Sequence, residues 1–186
     1  MRRRIEKLIF FFCLFAVWQI VYKLEIWPPY LFPSPFEVFD ALRLGFGDRT
    51  FLIGMGISMR RIAIGYGISI VFGLLLGLLI AMNDFLENTI GSLVLSLQSL
   101  PSICWLPLAV LWFGLSENAI LFVVIMGSLL AVTINTESGV RNVPQIYMLA
   151  GRNLGANGPR LFLHVLLPAS LPYLISGLKQ GWAFAW

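Results

Sequence analysis

The chain contains repeated apolar runs of about 20 residues, the length that a helix needs to cross a bilayer. They cover residues 8–22, 62–82, 90–113 and 119–135, and a fifth begins at 171. Hydrophobic residues make up 59% of the sequence and charged residues 12%, whereas soluble domains carry about 25% charged residues. The sequence therefore predicts an all-α integral membrane protein, a polytopic transmembrane helical bundle.

Basic residues indicate its orientation. Arg2, Arg3, Arg4 and Lys7 come directly before the first apolar run, so the positive-inside rule predicts a cytoplasmic N-terminus. The same bias is found in a later polar segment, at Arg141, Arg152, Arg160 and His164. We interpret the first run as a retained span rather than a cleaved signal peptide, because no A-x-A-like site follows it.

Prolines interrupt the chain between the first two runs. After Ser34-Pro35, residues 36–46 read as a short amphipathic helix on the outer membrane surface, or alternatively as a plain extracytoplasmic loop. We expect residues 1–56 to form the N-terminal span with this extracytoplasmic segment, and residues 57–186 to form the core.

The second and fifth runs contain residues that bear on helix packing and on charge in the membrane. Gly73 and Gly77 lie one turn apart, so another helix can approach closely there. Arg60 and Arg61 precede the second run on the inferred outer side, either to snorkel to the interface or to attract an anionic molecule or a protein partner. Lys179 is an unexpected charge inside the fifth run.

The third run contains internal prolines, which kink or break a helix. In a membrane, this is tolerated where the freed carbonyls face protein or water. The run is therefore our candidate for the wall of a pathway, unless its prolines only shape packing. Its candidate pathway-lining residues are Gln98, Ser99, Pro101, Ser102 and Pro107.

The polar segment before the fifth run predicts a helix, a turn and a second helix. Ile146, Leu149, Ala150 and Leu154 recur at helical spacing and give an amphipathic docking helix. Gly155 can end that helix in a left-handed cap. Pro159 suits the first position of a second short helix, which we expect over residues 160–167.

This segment resembles the cytoplasmic coupling loop of ABC-importer permeases. That loop has the pattern E-A-A, three residues, Gly, nine residues, then I-x-L-P. The chain has Leu149-Ala150-Gly151, Gly155 and residues 165–168 at that spacing. It departs from the pattern at Leu149, where the motif has Glu, so an ion pair from that Glu to the ATPase is not implied, and at Gly151, where the motif has its second Ala.

The resemblance extends to YLFPSPFEVFDAL from Tyr30, PLAVLWFGLSENA from Pro107 and INTESGVRN from Ile134, and it points to the nitrate, sulfonate and taurine branch. It implies a MetI-like permease fold with about five of the six expected spans present, and thus a chain truncated at its C-terminus. It also implies a coupling loop over residues 137–170. The implied coupling residues are Leu149, Ala150, Gly151, Gly155, Val165, Leu167 and Pro168.

The resemblance further implies a multi-pass protein of the inner membrane, surrounded by lipid. Its implied partners are an ATP-binding subunit, a second permease subunit that we expect to be identical, and an extracytoplasmic substrate-binding protein. The function it implies is import of a small anion such as nitrate, taurine or an aliphatic sulfonate, by alternating access. Transmission to the ATPase would pass through the coupling loop.

The sequence gives no support to an enzyme. It has no P-loop, no catalytic triad and no His or Cys cluster with metal-ligand spacing. We therefore expect no cofactor or metal in this chain, with ATP used by the partner. The net charge of +4 is explained by membrane orientation rather than by nucleic-acid binding. Cys13 and Cys104 are interpreted as buried small hydrophobic residues. Two other functions stay open, an ion-coupled secondary transporter and a non-transporting membrane scaffold.

Overall fold

The computed structural model describes residues 2–186, with side chains described from residue 4 onward. The side chains of Arg2 and Arg3, part of the orientation argument, lie outside the described residues. No strand occurs in residues 2–186, and helices that continue through a π or 3₁₀ turn are counted here as one. The helices are α1 (Arg2–Lys23), α2 (Pro35–Gly47), α3 (Thr50–Ala81), α4 (Asp84–Gln98), α5 (Ser102–Phe113), α6 (Glu117–Arg141), α7 (Gln145–Asn153) and α8 (Pro159–Ala185).

Four of these helices are long and apolar enough to cross a membrane: α1, α3, α6 and α8. A fifth crossing results if α4 and α5 are counted together as one broken span. The predicted fold class, an all-α bundle with about five spans, is confirmed. Helix α6 is longer than the predicted run because its end continues through polar residues up to Arg141. Helix α3 begins earlier than predicted, at Thr50, with a largely apolar stretch that precedes Arg60 and Arg61.

The chain divides into two compact units, Met1–Ile57 and Ser58–Trp186. In the first unit, α2 begins with a capping box, as the Ser34 hydroxyl accepts from the Glu37 N–H and the Glu37 carboxylate accepts from the Ser34 N–H. The backbone N–H of Ser34 holds the pKa of Glu37 below its ordinary value. The helix predicted over residues 36–46 is thus present.

In the second unit, α6 is the helix around which the others pack. Glycines of α3 and α8 lie directly against it, so close that an added Cβ would meet α6 atoms. At Gly73 the nearest atoms are those of Val132, at Gly77 the carbonyl oxygen of Thr133, and at Gly177 the side chain of Asn135. The close approach predicted at Gly73 and Gly77 is therefore confirmed, with α6 as the partner helix.

Hydrogen bonds reinforce this packing inside the bundle. The buried hydroxyls of Ser69 on α3 and Ser128 on α6 lie 2.8 Å apart. Seven residues further along α6, the Asn135 amide donates to the Gln180 side chain of α8 at 2.7 Å. Interhelical bonds of this kind matter in lipid, where no hydrophobic effect drives one helix onto another.

Of the two outcomes predicted for the prolines of the third run, a kink or a break, the structure shows a break. Helix α4 ends at Gln98, and α5 leaves the break at an angle of 101°. Pro101 lies in the break with extended ψ, and Pro107 occupies the first turn of the α-helical part of α5. A proline there needs no N–H donor, so Pro107 begins a helix instead of kinking one.

The prediction of a short second helix ending near Leu167 is wrong. Helix α8 runs without a break from Pro159 through Pro168 and Pro172 to Ala185. A π turn over Phe162–Leu166, in which the Leu167 N–H donates to the Phe162 carbonyl, precedes the first internal proline. This wider turn lets the helix continue past Pro168, since it relaxes the crowding that a proline ring causes.

Both cysteines are exposed in the isolated chain, so the expectation that they are buried is wrong. Each lies on a helix face that no other described element covers, whereas hydropathy reports only that a segment is apolar.

The glycine packing against α6 makes a stability prediction. We expect Gly77→Ala to lower the free energy of unfolding by about 1–3 kcal/mol, because its Cβ would lie 2.5 Å from the Thr133 carbonyl oxygen. Gly67→Ala, on the same helix with no atom within 4 Å, should be neutral or stabilising by up to about 1 kcal/mol. Thermal unfolding in detergent measures both, and equal shifts would contradict this packing.

Candidate functional site

The polar segment after α6 forms a compact hairpin made of α7 and the beginning of α8. Gly151 is the contact point, because it is buried and an added Cβ would lie 2.7 Å from Leu161 and 2.9 Å from Val165. Leu161 is itself 7% exposed. The residue where the family motif has Ala is therefore the residue at which this chain brings the two helices closest.

Backbone hydrogen bonds fix the turn of the hairpin. Gly155 has φ +84°, and its N–H donates to the Arg152 carbonyl while the Ala156 N–H donates to the Gly151 carbonyl. This pair of bonds is a Schellman cap, so the left-handed conformation predicted for Gly155 is confirmed. Gly158, also at positive φ, precedes Pro159, the first residue of α8.

The outward side of α7 is apolar and uncovered. Ile146 is 66% exposed and Leu149 is 53% exposed, and the flanking Leu154 is 88% exposed. Helix α7 is not among the candidate membrane spans. A contiguous exposed apolar surface is typical of a protein or membrane contact. We call Ile146, Leu149, Ala150 and Leu154 the α7 apolar face.

Four of the seven predicted coupling residues belong to α7 and the turn that follows it. Leu149 and Ala150 belong to the α7 apolar face, Gly151 packs against α8, and Gly155 makes the turn. The others lie on α8 itself, at Val165, Leu167 and Pro168. Since α8 continues to Ala185, the C-terminal part of the predicted loop belongs to a membrane helix. Their role in coupling stays a prediction.

The hairpin contact can be tested directly. Gly151→Leu should separate α7 from α8, since its side chain would meet Leu161 and Val165. Trypsin should then cleave after Arg152 and Arg160 severalfold faster, because cleavage follows local opening. Ala150→Leu, at the neighbouring exposed position, is the matched control and should leave the cleavage rate unchanged. Equal rates in the two variants would mean that Gly151 does not hold the hairpin together.

An ion cluster that sequence analysis missed anchors the start of the hairpin. At the end of α6, the Arg141 guanidinium lies 3.1 Å from Asp84 and 2.9 Å from Glu87 of α4, with Glu137 at 3.8 Å. Arg141 is mostly buried, with 28% of its side chain exposed. Only the Glu137–Arg141 spacing of four residues gave a signal in the sequence. The cluster joins α6 to α4 next to the hairpin.

This cluster predicts that Arg141→Gln destabilises the protein. Three carboxylates would lose their shared partner, and we expect a loss of about 1–3 kcal/mol in the free energy of unfolding. Arg60→Gln is the control, because Arg60 is 70% exposed and lies 3.8 Å from its partner. Exposed pairs of this kind contribute about 0–1 kcal/mol. Chemical denaturation in detergent measures both, and an equal effect would show that the Arg141 cluster adds no stability.

The opposite end of α6 carries a second ion pair. Glu117 accepts a hydrogen bond from Arg61 at 2.6 Å, and Arg60 lies 3.8 Å away. Helix α6 has 25 residues, so this pair and the Arg141 cluster lie about 36 Å apart along it. That distance exceeds the hydrocarbon thickness of about 30 Å. The two groups thus mark opposite ends of the membrane-spanning bundle, and Arg60 and Arg61 have a structural partner.

Two of the predicted pathway residues line one small cavity. Gln98 at the end of α4 and Ser102 at the start of α5 face it together with Trp105, Gly127 and Phe184. Ser99, Pro101 and Pro107 are exposed and do not line this cavity. The break between α4 and α5 therefore brings Gln98 and Ser102 against α6 and α8, while pathway lining by any of the five residues stays a prediction.

The fold and this hairpin define a class, a multi-pass helical membrane protein with an amphipathic contact helix outside its spans. Residues 69–186 match the family model described as "Binding-protein-dependent transport system inner membrane component". The chain belongs to this family of transport permeases. It is thus an ABC permease similar to the nitrate, sulfonate and taurine branch, as the resemblance implied.

Curated relatives agree. The chain is 31% identical over its whole length to 68% of the nitrate import permease NrtB of Leptolyngbya laminosa. It is 26% identical to the taurine transport system permease TauC of Escherichia coli strain K12, over 93% of the chain and 65% of the relative. It is 31% identical to the putative aliphatic sulfonates transport permease SsuC of the same strain, over 92% of the chain and 65% of the relative. The chain spans about two thirds of the length of these relatives.

Proposed function

We propose that the chain is the transmembrane permease subunit of an ATP-driven ABC importer, which moves a small anion by alternating access. The observation that supports this best is the α7 apolar face, an uncovered contact surface outside the spans. Its position in the family's coupling motif favours the ATP-binding subunit as the protein that covers it. The ATPase supplies the energy, and this chain supplies the route and no catalytic group.

The continuity of α8 suggests how motion would be transmitted. An ATPase docked on α7 displaces Gly151 and with it the first turns of α8, which are packed against it. Because α8 continues through the membrane to Ala185, this displacement passes into a spanning helix with no intervening loop. The Arg141 cluster holds the other end of the hairpin to α4. The bundle can then shift between two states that ATP binding biases.

The remaining partners and the orientation belong to the same proposal. A second, identical permease subunit would complete the pathway, and an extracytoplasmic binding protein would deliver the substrate. The hairpin side and the N-terminus would face the cytoplasm, where ATP is available, in agreement with the basic residues at both places. Nitrate, taurine and sulfonates, named for the relatives, all carry an anionic group, which supports a small anion as substrate.

Docking is tested with the permease and its candidate ATPase, purified together in detergent. We expect Ile146→Asp to reduce the recovered ATPase at least tenfold, because the interface would have to bury a carboxylate without a partner. Arg152→Gln, on another face of α7, is the matched control and should stay within twofold of wild type. Gly155→Pro should behave like Ile146→Asp, since proline cannot adopt φ +84°.

Uptake in proteoliposomes separates this proposal from the other functions. Transport that requires ATP and persists after ion gradients are collapsed supports the importer. Uptake that needs a gradient and no ATP would identify a secondary transporter, and ATPase binding without any flux would identify a scaffold. Recovery of no ATPase by folded wild-type protein would overturn the docking assignment.

A further inference from the structure

Lys179 differs from the other charged residues of the second unit. The charges at the two ends of α6 are paired, as Arg60 and Arg61 with Glu117 and as Arg141 with its three carboxylates. Arg152 belongs to the hairpin outside the spans. Lys179 lies further along α8, away from the turns that form the hairpin. Its side chain is exposed and makes no hydrogen bond or ion pair with any residue from 4 to 186.

The contacts of α8 with α6 give the depth of Lys179. Gly177 lies against Asn135 and Gly181 against Val132, so Lys179 is level with a point between residues 132 and 135. At 1.5 Å per residue, this level is about 11 Å from Arg141 and about 25 Å from Glu117. Both ends of α6 lie near the membrane boundaries. The backbone at Lys179 is therefore inside the hydrocarbon layer.

The same side of α8 carries other polar features between Lys179 and the Arg141 end of α6. Pro168, Pro172, Ser176 and Lys179 are all exposed and fall within an arc of about 80° at 100° per residue. Pro172 has no N–H, so the carbonyl of Pro168 lacks its usual helical donor. By the same arithmetic Pro168 lies just beyond the level of Arg141, so this side of α8 leads from the membrane boundary to Lys179. We call these four residues the α8 polar face.

We propose that the α8 polar face lines the transport pathway and that the Lys179 ammonium binds the anion in transit. An ionisable residue at this depth is expensive unless it faces water or a partner charge. The second unit of another copy would offer no unpaired carboxylate, because Glu117 is paired with Arg61, and Asp84, Glu87 and Glu137 are paired with Arg141. A small anion in a hydrated pathway provides the missing charge. This inference rests on the proposed importer function.

The test uses the whole importer, with full-length permease, ATPase and binding protein, in proteoliposomes supplied in turn with nitrate, taurine and ethanesulfonate. For the anion that wild type transports, we expect Lys179→Met to reduce uptake about ten- to a hundredfold, the size of one lost charge-assisted contact. Lys179→Arg keeps the charge and should retain a substantial part of uptake. Lys23→Met removes a lysine from the end of α1 and should leave uptake unchanged.

The outcomes distinguish failure of this inference from failure of the proposed importer function on which it rests. If wild type transports none of the three anions with ATP, the proposed function fails. If wild type transports one and Lys179→Met transports it equally well, the function stands and the inference is overturned. That result is expected if Lys179 only snorkels along a lipid-facing surface. Uptake equally low in Lys179→Arg and Lys179→Met, with the complex intact, would also contradict an anion contact made by charge.

A labelling experiment does not depend on transport by the variant. Lys179→Cys is made in a background with Cys13→Ser and Cys104→Ser, and is treated with a charged methanethiosulfonate. This reagent needs a thiolate in contact with water. We expect rapid modification that slows at least threefold when the transported anion is present. A cysteine that stays unreactive in folded protein would place Lys179 against lipid or a partner subunit and overturn the proposal.

Discussion

The close packing of glycines against α6 is the constraint on which the second unit depends. In a bilayer, lipid tails are as apolar as the helix surfaces, so helices associate by van der Waals contact and hydrogen bonds. Gly73, Gly77, Gly177 and Gly181 remove the side chains that would keep α3 and α8 away from α6. The Ser69–Ser128 hydrogen bond can form only at this separation. The apolar side chains that take no part in this packing lie on the outer surface of the helices.

Because α6 is held by its neighbours along its whole length, its two ends can carry different polar structures. At one end, Glu117 ties α6 to α3 through Arg61. At the other, Arg141 ties it to α4, four residues before the hairpin begins at Gln145. Helix α6 is therefore a rigid connection between the two sides of the bundle. A displacement of the hairpin has to be absorbed by α8 and α4, which both contain a π turn.

Sequence reasoning succeeded where the signal is local and failed where it is not. The Gly73–Gly77 spacing, the Gly155 cap and helix α7 each depend on residues within a few positions, and all were predicted. The path of α8 through Pro168 and Pro172 was missed, because a π turn is not encoded by any single residue type. A kink or a break was predicted for the third run, but the 101° angle after Gln98 was not. The Arg141 cluster joins residues more than 50 positions apart, which no pattern along the chain reveals.

The chemistry of lysine suits the role that the α8 polar face is proposed to have. An arginine fork matches planar anions by two parallel hydrogen bonds, whereas a lysine ammonium is a compact point charge with three rotatable donors. A single lysine thus accepts planar nitrate and a tetrahedral sulfonate with little preference. It also binds weakly enough to release the anion, as any step of a pathway must. Under this proposal, selection among anions is left to the protein that delivers them, and Lys179 provides one positive charge within the hydrocarbon layer.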